Sequence, residues 1–258
     1  MKKMLCSTLL VSLCTASPIF AEESKPPHSN DKTIDFIEKQ VEQNMSVGRA
    51  IKSIVSHYPQ DVEIVIRTAL DLYPEHYREI VHGAISAQPA LTEDVVSIAI
   101  EKHPQHCANI VKTAIHAEPS YIDFVVNAAT HATPEELQDI VRVAVITEPN
   151  SADTIVRSVA EAQPNRLAEI ITTAIGAVPL VGEYIVEALL ISYPQSTETV
   201  ITTAFKESNL NNGNNLLRIL ATARGAGIND DEIKLYAING GVTEEDFSAL
   251  MEQLESKE

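Results

Sequence analysis

Ten of the chain's prolines stand at 59, 74, 89, 104, 119, 134, 149, 164, 179 and 194, each fifteen residues after the one before. Inside a helix a proline removes a hydrogen bond and clashes with the preceding turn, at about 3 kcal/mol. At the first helical position it is harmless, because the N–H it lacks would be unpaired there anyway. A chain with a proline at every fifteenth position, and no insertion or deletion from Pro59 to Ser208, is therefore built of units that begin at proline. That repeat governs every other reading of the sequence.

With each proline counted as zero, offset six is Ile or Val in every unit, from Val65 and Ile80 to Ile185 and Val200. Offset seven behaves likewise, and offset ten is Ala except at Val159 and Leu189. Offset eleven is mostly Leu, Ile, Val or Phe, and a weaker apolar position at offset three holds Val62, Tyr77, Ile122, Leu137 and Leu167. These offsets share one face of a 3.6-residue period. A strand would send the two members of each apolar doublet to opposite sides, and the polar pairs between doublets break a period of two, which sets a β-solenoid aside. Acids recur at offset four, as Glu63, Glu93, Asp123, Asp153, Glu183 and Glu198, where they meet the positive end of a helix dipole. Glu63 with Arg67, Asp153 with Arg157 and Asp139 with Arg142 are spaced for ion pairs along a helix.

A helix of about twelve residues is roughly 18 Å long and leaves two or three residues to reverse the chain. Neighbouring helices are thus expected to be antiparallel, with the alanine at offset ten allowing close approach. One such helix cannot bury its stripe alone, and stacked neighbours can. The expected fold is all-α: an α-solenoid of short, 15-residue, Pro-initiated helical repeats with helical caps at both ends. In kind it resembles the TPR and HEAT classes, with a shorter period and without their signature residues. One detail is at odds with separate helices. Only Thr133, among the ten residues before the prolines, is of a capping type. That leaves one proline-kinked superhelix open as the alternative, against which stands the cost of ten interior prolines.

The ends depart from the pattern. Lys2 and Lys3, the apolar run Met4 to Leu13 and the breaker before Ala21 read as a signal peptide over 1–21, cut after Ala21. Leu13 before Cys14 does not fit a lipoprotein. Residues 22–30 read as a flexible leader, and 31–58 as an N-terminal cap helix and a degenerate repeat. The ten repeats cover 59–208. An Asn-rich hinge and a small C-terminal helical subdomain follow over 209–258, with helix starts capped by Asn229 and Thr243 after Gly227 and Gly241. The Asn-rich loop lacks the alternating carboxylates and closing Glu of a calcium loop.

The chain has 19 Lys+Arg against 36 Asp+Glu, and residues 22–258 carry 17 against 36, a charge of −19. That excludes nucleic-acid binding through bulk charge. No segment is long and apolar enough for an integral membrane helix. Cys107, the one cysteine beyond residue 21, cannot form an internal disulfide and reads as a core residue. His103 and His106, with His116 and His131 in successive units, lack a recognisable metal-ligand pattern, and no nucleophile, phosphate or dinucleotide motif occurs. No catalytic residue, cofactor or metal site is expected. The tyrosines before prolines, Tyr58, Tyr73 and Tyr193, are candidate partner-binding residues, because exposed tyrosines anchor interfaces. The functional expectation is an exported, periplasmic or secreted, non-enzymatic scaffold or adaptor that binds a protein or peptide. A self-associating structural protein of the envelope or extracellular matrix and an acidic divalent-metal binder are the alternatives.

Overall fold

The computed structural model describes residues 30–44, 46–211 and 215–256. The expected signal peptide with its cleavage site, nearly all of the leader, and residues 212–214 of the Asn-rich stretch lie outside these. The described residues form fifteen α-helices and no strand. They are α1 (Asn30–Asn44), α2 (Val47–His57), α3 (Val62–Leu72), α4 (Tyr77–Ala87), α5 (Thr92–Lys102), α6 (Cys107–Ala117), α7 (Ile122–Ala132) and α8 (Leu137–Thr147), then α9 (Ala152–Ala162), α10 (Leu167–Ala177), α11 (Gly182–Ser192), α12 (Thr197–Leu210), α13 (Leu216–Gly225), α14 (Asp230–Asn239) and α15 (Glu244–Glu255).

The helices are separate, not one kinked rod. Every repeat starts with a three-residue 3₁₀ turn that opens on its proline; the first nine continue into an eleven-residue α-helix and end on one link residue, and the tenth runs on into the fourteen-residue α12. That link, the residue before the next proline, has φ between −131° and −154° and ψ between 58° and 90°. Proline excludes the helical region from the residue before it, so the helix must stop there. The link also explains the missing caps. Its N–H closes the helix behind it and its carbonyl opens the turn ahead, as when Tyr73 donates to Ala69 O at 2.9 Å and accepts from His76 N at 2.9 Å. With the backbone serving both ends and proline bringing no donor, a side-chain cap has little left to satisfy. None of these ten turns has one.

From α2 onward each helix packs most closely on a helix two away along the chain, α2 on α4 through to α12 on α14 and α3 on α5 through to α13 on α15, while α1 packs equally on α2 and α3. The result is two layers, one of odd-numbered and one of even-numbered helices, with the core between them. Side-chain bonds within a layer join positions about one helix pair apart, such as Lys102 to Asp71, Arg78 to Asn109 and Gln138 to Glu169, so helices of one layer run parallel and in register. The helix between two such parallel neighbours must return the chain and therefore runs the other way. The two kinds of turn differ as well. ψ of the link is 59° to 70° after α3, α5, α7, α9 and α11, and 76° to 90° after α4, α6, α8 and α10; Tyr58 after α2, at 58°, is the exception.

The core is the repeat made solid. Val65, Ile80, Val95, Ile110 and Ile140 at offset six are buried, and so are all the alanines at offset ten together with Val159 and Leu189. In the first repeats the approach is closest between α2 and α4, where Gly83 faces the backbone of Gly48 with no room for a Cβ. Beyond Ser208 the helices keep alternating between layers. Asn229 and Thr243 cap α14 and α15 by accepting from Glu232 N at 2.9 Å and Asp246 N at 3.1 Å. Gly227 and Gly241 adopt positive φ of 85° and 86° before them.

Candidate functional site

With offsets three, six, seven, ten and eleven used for packing, offsets five, eight and twelve make the outward stripe of each helix in the odd layer. These positions lie one or two turns apart on a single face. In α3 they are Ile64, Arg67 and Asp71; in α5, Asp94, Ser97 and Glu101; in α7, Phe124, Asn127 and His131; in α9, Thr154, Arg157 and Glu161; in α11, Tyr184, Glu187 and Ile191. None of the fifteen is buried.

At α3 and α5 the stripe is knitted by charge. Arg67 holds Glu63 at 3.2 Å and grips Glu101 with two bonds of 2.8 and 2.7 Å, and Lys102 reaches Asp71 at 2.7 Å. The paired guanidinium pulls the Glu101 carboxyl below its usual range, and Glu101 in turn raises Arg67. Asp139 and Arg142 also pair, at 2.7 Å. The pairing expected between Asp153 and Arg157 does not form; Arg157 turns instead to the Thr154 hydroxyl at 3.5 Å.

At α11 the same stripe is apolar at both ends, with Glu187 between them. Tyr184 is 51% exposed and Ile191 76%, and Leu180 in the turn before α11 is 64% exposed. Beside Ile191 lies a groove of about 550 Å³, lined by Glu187, Leu190 and Ile191 of α11, by Thr222 and Gly225 of α13 with Ala226 just after it, and by Pro194, Thr197 and Ile228. Its cause is local. The spacing between facing positions grows across the Asn-rich segment, so that Arg218 pairs with Glu183, thirty-five residues apart, and Asn215 bonds Pro179 O. In that register Thr222, Gly225 and Ala226 stand opposite Glu187, Leu190 and Ile191. Large side chains on one helix face small ones on the next, and the space stays open. A Cβ on Gly225 would meet nothing within 4 Å.

The candidate tyrosines do not form one surface. Tyr58, Tyr73 and Tyr193 are each half-buried against the core. Tyr58 lies edge-on to Phe36 of α1, ring centres 6.0 Å apart, and Tyr73 lies 6.4 Å from His76. Burial raises the Tyr73 hydroxyl, with Glu38 and Glu42 adding to it, and raises that of Tyr193 with help from Glu161. Tyr58 is in a turn after an even helix and the other two in turns after odd helices, so antiparallel packing puts Tyr58 at the opposite edge. Tyr73 and Tyr193 share an edge but stand eight repeats apart. Tyr193 adjoins the groove through Pro194. Tyr77 is buried and stacks on His106 at 4.6 Å, and Tyr121 packs on Phe124 at 5.4 Å.

His103 lies 6.1 Å from His106 and its Nε2 is buried without a hydrogen bond. Burial, then the neighbouring His106, lowers its pKa. His116 and His131 occupy the last turns of α6 and α7, which run in opposite directions in different layers. Among the described residues no three His, Cys, Asp or Glu side chains converge to hold a metal ion, and no helix is long and apolar enough to cross a membrane. Cys107 is 4% exposed, with its thiol 3.3 Å from the Thr133 hydroxyl and pushed up in pKa by burial.

The residues that distinguish the groove, Leu190, Ile191, Thr222, Gly225 and Ala226, were not among the sequence candidates. The signal was present at offset twelve, where the odd repeats read Asp71, Glu101, His131 and Glu161 and then Ile191. Compared with models of protein families and with curated proteins, the sequence matches none.

Proposed function

We propose that the protein is a non-enzymatic helical-repeat scaffold that binds a protein or peptide, exported by its signal peptide and working in the cell envelope or outside it. The observation that carries this reading is the change along one surface of a regular array: ion-paired at α3 and α5, apolar and grooved at α11 and α13. Repeat surfaces do their work by varying outward residues on a constant frame, and an exposed apolar patch beside a groove on a strongly charged protein is what a partner covers. The acidic charge supports a partner other than a second copy, since like charges oppose self-association.

Affinity capture with residues 22–258 from the envelope fraction of the host, identified by mass spectrometry, tests the reading. The expected result is a stoichiometric partner recovered by the native protein and lost with the double variant Tyr184→Ser, Ile191→Asp. Recovery of the chain alone, with sedimentation showing growth at rising concentration, overturns it in favour of a self-associating structural protein.

A further inference from the structure

The chemistry of the partner follows from the groove's rim, on the reading that this face binds one. Two cations stand near it, and both are taken: Arg218 by Glu183, and Arg224 by Asp230 at 3.0 and 3.2 Å. The described ion pairs leave four carboxylates around the groove without a basic partner. Glu187 lines it. Glu161 stands at the register position of Ile191 on α9 and bears on Tyr193 beside Pro194. Glu198 follows the lining residue Thr197, and Glu232, in the first turn of α14 soon after Ile228, acts with Glu198 on Tyr236. From Pro179 to Glu258 the sequence holds five basic and thirteen acidic residues. An apolar slot among unpaired negative charges opposes a second copy of this acidic chain and favours positive charge around an apolar anchor.

The form of the ligand follows from the walls. They are the last turns of two helices, which present no row of alternating free N–H and C=O groups for an extended strand to pair with. A segment docking here has to satisfy its own backbone, and a helix does so. We infer that the groove between α11 and α13 receives a basic amphipathic helix, which inserts an aliphatic side chain against Leu190 and Ile191 and sets its Lys or Arg residues over Glu161, Glu187, Glu198 and Glu232.

The test uses a fluorescein-labelled Leu/Lys peptide of about fifteen residues, four helical turns, with its leucines on one face. One control has the same composition in an order that destroys the face, and another has Gln for every Lys. Fluorescence anisotropy with residues 22–258 is expected to show the amphipathic peptide binding at least about tenfold tighter than either control, weakening as salt rises. Ile191→Asp and Gly225→Leu should each lose about tenfold or more. The second fills the groove where the added side chain meets open space, so its melting temperature should not fall, and loss of binding is then loss of the groove. Glu187→Lys should weaken binding and flatten its salt dependence.

Equal binding of the scrambled Leu/Lys peptide overturns the inference as bulk charge attraction. Unchanged binding by Gly225→Leu and Ile191→Asp overturns it by placing the contact elsewhere. A native dimer that Ile191→Asp dissolves overturns it in favour of a second copy. If the peptides fail while capture still recovers a partner in an Ile191-dependent way, the scaffold stands and the basic-helix assignment alone falls.

Discussion

The outward stripe of α3 and α5 and that of α11 ride on the same backbone, start from the same proline and occupy the same offsets, yet one is closed by ions and the other is open and greasy. Arg67, Asp71, Glu101 and Lys102 occupy one another's hydrogen-bonding groups across two helices. Tyr184 and Ile191 have no such occupation, and α13 answers Ile191 with Ala226 and Leu190 with Gly225. Frame and surface are thus separable in this protein. The frame is set by offsets three, six, seven, ten and eleven, and only the remaining positions record what a given stretch is for.

If the frame is common to both regions, damage to it should be equally severe in either. Ile66→Ala and Ile185→Ala, both fully buried, should each cost about 2–5 kcal/mol in chemical denaturation. A cost confined to one region would break the equivalence. Glycines should divide the two ends by sign. Gly83→Ala forces a methyl group into the Gly48 carbonyl and should cost about 1–3 kcal/mol. Gly225→Ala adds it in open space and should gain up to about 1 kcal/mol in the same assay.

Acid should act on the α3–α5 end. The folded pKa of His103 is depressed by burial, so below its ordinary value of about 6.5 the unfolded chain holds a proton that the folded chain refuses. Stability should therefore fall as pH drops through that value. Glu101, depressed by Arg67, contributes above the usual carboxylate range and loses its contribution at lower pH still. His103→Gln should remove the upper part of the slope in melting curves taken between about pH 7 and 5 and leave the lower part. Smallest of all should be single changes to the stripes. Asp71→Asn should cost about 0.5 kcal/mol and less at high salt, and Ile191→Asp should leave stability within about 0.5 kcal/mol. A large loss from Ile191→Asp would mean that the apolar stripe belongs to the frame.

The frame was legible because its signals are local and repeated. The prolines mark the helix starts, and the doublets at offsets six and seven with the alanine at ten name the buried face, all of which the helices obey. Whether the prolines break or bend the chain could not be read from residue types, since only at Thr133 does a residue of capping type announce the break. The link residue's own backbone does that work, at Tyr73 as at Val178. The groove was hidden for a different reason. It depends on which helix lies opposite α11, and beyond Ser208 the fifteen-residue ruler no longer says that Ala226 faces Ile191. Tyrosines drew attention by type, but Tyr58 and Tyr73 sit over turns, and the residue that projects is an isoleucine at a position held by charged or polar side chains in the other odd repeats.

The alternation of the layers has a consequence for how such a chain can change its length. Offset nine is buried in Thr68, Ile98, Ala128 and Ala188 of the odd layer, with Ser158 the exception, and half-covered in Thr113, Val143, Thr173 and Thr203 of the even layer, with Gly83 the exception. Eight of the ten repeat helices are therefore fitted to their own side, although the sequence period says fifteen. Deleting thirty residues, α5 with α6, would leave every later helix where it was made to be. Deleting fifteen would invert the parity of everything downstream, turning half-covered residues inward and carrying the stripe of Tyr184 and Ile191 to the opposite face of the molecule. The unit of inheritance for this fold is the pair, and a single helix is half a step.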